Sequence, residues 1–157
     1  MKVRDIMTSH PATCGPDETV AAALGRMWEE NCGILPIVRD DRVTGVITDR
    51  DIAMVLLFKG WSPQQIRVGE VTRGTVFGCR PGDDVSTALA VMAEHQVRRL
   101  PVLENESLRG MVSMNDIILE ARATHGAEER PTYGEVVKAL QSICRHTKMP
   151  VTSEAPG

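Results

Sequence analysis

Thr48-Asp49-Arg50-Asp51 stands between two apolar runs, Val43 to Ile47 and Ile52 to Phe58. The first run, broken by Gly45, has the length of a strand, and the second has the length of a helix. A hydroxyl and a carboxylate three residues apart therefore fall where a strand hands over to a helix. The pattern occurs twice. Leu108 to Val112 leads to Ser113-Met114-Asn115-Asp116 and then to Ile117-Ile118-Leu119. The order of residue types is the same: hydroxyl, two variable positions, Asp, Ile.

Working outward from the motif, a shift of 65 positions lays Val3 on Val68, Cys14 on Cys79, Pro16 on Pro81 and Leu24 on Leu89. The same shift lays Met27 on Met92, Leu35-Pro36 on Leu100-Pro101 and Gly45 on Gly110, with no gap between Val3 and Ile52. Two copies of one supersecondary unit follow. They divide the chain into residues 1–62 and 63–123, then a linker and C-terminal helix over 124–147 and a polar tail over 148–157, expected to be disordered. Each copy alone is near the lower limit for a stable core, so the two are expected to share one.

Within a copy the order reads strand, helix, strand, strand, helix. Pro11 to Cys14 forms a first strand, stopped by Gly15-Pro16. Asp17-Glu18 open a helix at the positive end of its dipole. Val20, Ala23, Leu24 and Met27 share one face of that helix, which Val85, Ala88, Leu89 and Met92 repeat. Ile34 to Val38 is a buried strand in which Pro36 implies an edge or a strand start. Arg39-Asp40-Asp41-Arg42 is a hairpin turn, and Gly45 allows close backbone approach in the return strand. The helix after Thr48 is apolar almost all round, which predicts burial on both sides, one of them against a partner subunit. Thr132-Tyr133-Gly134-Glu135 is a capping box, opening a trailing helix whose apolar face is Val136, Val137, Leu140 and Ile143.

Composition excludes several function classes. The chain of 157 residues has a net charge of -3 and 3% aromatic residues, so neither a basic stripe nor a stacking platform for nucleic acid is expected. No 18-residue uncharged apolar run exists, and Met1 to Asp5 does not lead into a signal-peptide core, so a cytoplasmic protein without membrane contact is expected. Cys14, Cys32, Cys79 and Cys144 form no Cys-x-x-Cys pair, and the four His residues are isolated. Buried thiols in a reducing compartment are the simplest account. A Cys14–Cys144 bridge, with Cys79 as competing partner, stays open if the trailing helix folds back over the first copy.

Two such units, each with Leu-Pro in its middle strand and a Gly-x-x-[Thr/Ser]-x-x-Asp exit, resemble the cystathionine-β-synthase (CBS) domain pair, or Bateman module, over residues 1 to 122. Thr48-Asp49-Arg50-Asp51-Ile52 and Gln96 to Val102 resemble in particular the small stand-alone bacterial CBS-pair proteins of the hypoxic-response type. The resemblance implies an α/β (α+β) fold of tandem β-α-β-β-α repeats with pseudo-two-fold symmetry plus a C-terminal helix. It further implies a non-catalytic regulatory sensor, a homodimer, and adenine-nucleotide binding in clefts between the two motifs. AMP is the foremost ligand expected, with ATP or ADP as alternatives, and no metal is expected to be required. The effector protein downstream is unknown. A dimeric scaffold with vestigial clefts, redox-responsive through its thiols, is the alternative.

The expected ligand-binding residues are Thr48, Asp49, Arg50, Asp51, Ser113, Asn115, Asp116, Arg98, Arg99, Pro36, Pro101 and Ile34. Asp51 and Asp116 can accept from both hydroxyls of a ribose, and Thr48 and Ser113 can donate to a phosphate. The same spacing also suits a plain helix cap, with Asp in the place of Glu. The sites are unequal. Arg98-Arg99 precede Leu-Pro in the second copy, and uncharged Gly33-Ile34 do so in the first, with Arg50 as a compensating cation. No nucleophile–base pair or Walker-type loop suggests an enzyme.

Overall fold

The computed structural model describes residues 1–72, 75–124 and 130–145. These fall into two compact units that do not follow the sequence halves. One unit runs from Ala12 to Val76; the other joins Met1–Pro11 to the described residues between 77 and 145.

In the Ala12–Val76 unit, α1 (Val20–Glu29) leads to a hairpin of β2 (Ile34–Arg39) and β3 (Arg42–Thr48), then to α2 (Asp49–Lys59). The other unit holds β1 (Thr8–Ser9), α3 (Val85–His95), β4 (Arg99–Glu104), β5 (Ser107–Ser113), α4 (Met114–Glu120) and α5 (Tyr133–Ile143). Its sheet has the order β1-β5-β4, with β1 antiparallel to β5. Both hairpins turn through two residues of positive φ, Asp40-Asp41 and Asn105-Glu106, whose twist matches that of the paired strands. Mixed helix and strand in tandem units is the fold class expected.

The lead-ins are exchanged. Val3 N–H donates to Asp83 O at 2.9 Å and Val85 N–H to Met1 O at 3.1 Å. At the positions 65 residues apart, Val68 N–H donates to Glu18 O at 2.9 Å and Val20 N–H to Ile66 O at 2.9 Å. Val3 thus joins the buried cluster of Leu89, Met92, Leu100 and Ile117. Ile66 and Val68 join that of Val20, Met27, Leu35 and Ile52. Each unit has its own buried cluster, in which each copy completes its core with the other's lead-in.

Several local expectations need correction. The strand Pro11 to Cys14 shrinks to a single parallel rung, Cys14 against Ile37, with Cys79 against Val102 as its counterpart. Cys14 N–H donates to Pro36 O, and Val38 N–H donates to Cys14 O. Pro36 and Pro101 therefore sit inside β2 and β4 with their missing N–H on the side away from the hairpin partner, where no ladder bond is lost. Asp17 and Glu18 precede α1 rather than open it. Thr19 is the cap, its hydroxyl accepting from Ala22 N–H at 3.2 Å. Glu18 instead accepts from Gly15 N–H at 2.7 Å and pairs with Arg26 at 3.0 Å.

The α1 and α3 faces bury Val20, Ala23, Met27, Val85, Ala88, Leu89 and Met92, with Leu24 half-buried. Gly45 is crowded: a Cβ there would lie 2.6 Å from Thr72 Oγ1. Only Ile52 of α2 is fully buried, and Leu57 and Phe58 are 72% and 57% exposed. The trailing helix α5 packs against α3 and so belongs to the second copy's unit. Gln96 Nε2 donates to Ser142 O and Arg145 O at its end. Its buried face is Val136, Ala139 and Ile143, with Leu140 half-buried; Val137, expected inside, is exposed. All four thiols are free, so neither the Cys14–Cys144 nor the Cys79–Cys144 bridge forms. The tail 148–157 and most of the linker lie outside the described residues. Among the described residues no helix is long and apolar enough to cross a membrane.

Candidate functional site

The hydroxyl–carboxylate motif closes the hairpin of each unit and opens its following helix. Thr48 ends β3 opposite Ile34, and Ser113 ends β5 opposite Arg99. Both caps are reciprocal. Thr48 N–H and Oγ1–H donate to Asp51 Oδ2 at 3.1 and 2.6 Å, while Thr48 Oγ1 accepts from Asp51 N–H at 3.1 Å. Ser113 N–H and Oγ–H donate to Asp116 Oδ2 at 2.8 and 2.7 Å, and Ser113 Oγ accepts from Asp116 N–H at 3.2 Å. The capping reading of the spacing is thus realised in both copies.

Capping consumes one carboxylate oxygen and leaves the other. Oδ2 of each Asp receives two bonds, which fills its two lone pairs. Oδ1 of Asp51 and of Asp116 has no hydrogen-bond partner among the described residues, and it keeps capacity for two donors. The single proton of Thr48 or Ser113 is directed at the carboxylate, so a bond from that hydroxyl to a phosphate requires breaking the cap.

The residues beside the motif differ in charge between the copies. Met114 N–H donates to Arg98 O at 2.8 Å, and Asp49 N–H donates to Gly33 O at 3.1 Å, so positions 98 and 33 lie equivalently against the two caps. Arg98 is exposed and Arg99 half-buried, and neither guanidinium has a protein partner among the described residues. Met114 is turned into the core at 3% exposure. Asp49, at the matching position, is exposed. Its Oδ1 accepts from Arg50 N–H at 2.7 Å, and its Oδ2 lies 2.8 Å from where a Gly33 Cβ would stand. Arg50 and Asn115 are exposed beside their caps. The second motif therefore gathers Arg98, Arg99 and Asp116, and the first gathers Asp49, Arg50 and Asp51. The Asp49–Gly33 contact was not anticipated. Its only trace in the sequence is that Gly33 and Asp49 both change type at 98 and 114.

Pro36 and Pro101 are buried, with their carbonyls taken by Cys14 and Cys79 N–H. Burial pushes the Cys14 thiol up to about 11 and the Cys79 thiol up to about 12.

The CBS domain family model matches residues 3–57 and 68–122. Hypoxic response protein 1 of Mycobacterium tuberculosis is 40% identical over 142 residues, 90% of this chain and 92% of that protein. The solved structure of Hypoxic Response Protein I matches with a TM-score of 0.70 at 38% identity, covering 76% of this chain and 98% of that one. The CBS domain pair of MJ0100, in complex with 5′-methylthioadenosine and S-adenosyl-L-methionine, shares the fold with a TM-score of 0.69 at 23% identity, covering 76% and 94%.

One expectation is overturned by these findings. Hypoxic Response Protein I carries two coordinated zinc ions, against the expectation that no metal is required. Among the described residues of this chain no three His, Cys, Asp or Glu side chains converge to hold a metal ion; His125 and His146 lie outside them. The described residues do not by themselves make a zinc site.

Proposed function

Because this chain belongs to the CBS-domain family and carries the domain twice, we propose that it is a non-catalytic regulatory module that binds adenine nucleotides at its two hydroxyl–carboxylate motifs. The observation that carries this reading is the divided use of Asp51 and Asp116. One oxygen is locked by the cap and the other is left open, so the carboxylate is held in place before a ligand arrives. A ribose presents two adjacent hydroxyl donors, which suits one uncommitted carboxylate oxygen with two lone pairs. Binding to an ordered group avoids the cost of immobilising it. A protein of the same fold, MJ0100, is in complex with two adenosine compounds.

The motif at Ser113–Asp116 takes the phosphorylated end best. Arg98 and Arg99 supply two guanidinium groups there that have no protein partner among the described residues, and charge-assisted bonds to phosphate are about twice as strong as neutral ones. Titration calorimetry with AMP, ADP, ATP and adenosine tests the reading. Micromolar binding of at least one nucleotide is expected, and Asp116→Ala is expected to remove the Ser113–Asp116 share of it. Arg99→Ala is expected to weaken AMP far more than adenosine. Equal losses for the two ligands would remove the phosphate role.

A homodimer through the outer faces of α2 and α4 is also proposed. Met54, Leu57 and Phe58 on α2 and Ile118 and Leu119 on α4 are exposed in the single chain, and each large apolar side chain buried contributes about 1.5–3 kcal/mol. Sedimentation showing only monomer at micromolar concentration counts against it.

A further inference from the structure

We infer that the Thr48–Asp51 motif selects adenosine compounds whose 5′ substituent is uncharged or cationic, such as a thioether or a sulfonium, and that Asp49 is the residue that sets this specificity. The inference rests on the binding reading proposed above and assigns the two motifs different ligand classes.

The argument is one of position. Arg98 and Gly33 stand equivalently, each offering its carbonyl to the first N–H of the following helix. In the second copy that position projects a guanidinium. In the first copy it projects nothing, and the space is taken by a carboxylate. Asp49 Oδ2 lies 2.8 Å from where a Gly33 Cβ would be, so no other residue fits at 33 without moving Asp49. The carboxylate is also held from its other side, since Oδ1 accepts from Arg50 N–H at 2.7 Å. Oδ2 has no hydrogen-bond partner among the described residues. The charge beside the cap is inverted: Arg98 carries a cation there in the second copy, and the carboxylate of Asp49 lies against Gly33 in the first.

Charges facing the motif from the neighbouring elements do not cancel this. On α2 they are Asp49, Arg50 and Asp51; on β2 Ile34 is uncharged, and Gly33 precedes it. The sum is one negative charge, whereas Arg98, Arg99 and Asp116 sum to one positive charge. A phosphate dianion set against the first group is repelled, and a neutral thioether is not. Like-charge repulsion at the short range of a side chain beside a bound 5′ group is expected to discriminate by about tenfold.

The test uses the full chain and three probes: AMP, adenosine and 5′-methylthioadenosine. Asp116→Ala disables the second motif, so calorimetry reads the first alone. Methylthioadenosine and adenosine are then expected to bind at least about tenfold tighter than AMP. Adding Asp49→Asn is expected to close the gap to within about threefold, by strengthening AMP relative to methylthioadenosine. Should Asp116→Ala fail to fold, Asp51→Ala in the otherwise intact chain serves instead. It removes the methylthioadenosine-preferring isotherm and leaves the AMP-preferring one. AMP binding at parity with adenosine in Asp116→Ala, or an unchanged ratio in the Asp49→Asn variant, overturns this inference alone. A wild-type protein that binds none of the three overturns it together with the binding reading.

Discussion

The reciprocal cap at Ser113–Asp116 can be taken apart by a double-mutant cycle, and its geometry sets the expected numbers. Three bonds hold it: Ser113 N–H and Oγ–H to Asp116 Oδ2, and Asp116 N–H to Ser113 Oγ. Ser113→Ala removes the two that use the hydroxyl. Asp116→Ala removes the two that use the carboxylate. The hydroxyl–carboxylate bond at 2.7 Å is common to both. Each bond contributes about 0.5–1.5 kcal/mol net, so each single variant loses about 1–3 kcal/mol, in the upper range for helix caps. The double variant loses three bonds and not four, so the two effects fall short of additivity by about 1 kcal/mol. Urea unfolding with linear extrapolation measures this, provided the slope is unchanged. Additivity within about 0.3 kcal/mol would refute the shared bond. The same variants separate capping from ligand binding. A cap alone predicts that both single variants weaken nucleotide binding equally. The proposed ribose contact predicts that Asp116→Ala abolishes binding at the second motif while Ser113→Ala, which keeps the carboxylate, retains most of it.

Further outcomes follow from the packing and the titrating groups. Gly110→Ala should destabilise by at least about 1–3 kcal/mol, because a Cβ there meets Thr8 O at 2.7 Å; Gly25→Ala, in α1 with open space around it, should stabilise by about 0.5–1 kcal/mol. Both are read from urea midpoints. The Arg26 guanidinium, hydrogen-bonded to Glu18, holds that carboxyl below its ordinary value of 4.5. Its contribution is therefore complete above pH 4.5 and is lost as pH falls through the lower folded value. Glu18→Gln should cost stability at pH 7, and its difference from wild type should shrink as pH falls below that window. Cys14 and Cys79, pushed up to about 11 and about 12 by burial, should resist iodoacetamide at pH 8, while exposed Cys144 reacts; mass spectrometry of the labelled native protein gives the order.

What the residues alone determined is local. The duplication is a direct comparison of residue types, and the apolar faces of α1 and α3, the Arg39–Arg42 turn and the caps at Thr48, Ser113 and Thr132 depend on residues within one or two turns of each other. Steric and hydrogen-bonding preferences act at that range whatever the rest of the chain does. The wider decisions belonged to tertiary structure. Val3 and Val68 are interchangeable in sequence, and only the packed fold assigns each to the opposite copy's core. Asp17 and Glu18 suit a helix start, yet Ile66 O claims the Val20 N–H and Thr19 takes the cap. Val137 and Ala139 both lie near the apolar stripe of α5, and the docking of that helix on α3 decides that the smaller residue goes inside. Asp49 looks like any acidic residue in a first turn, and its place over Gly33 follows from the register of β2 and β3. In each case the outcome depended on a partner distant in sequence, whose surface and hydrogen-bonding groups exist only once the chain has folded.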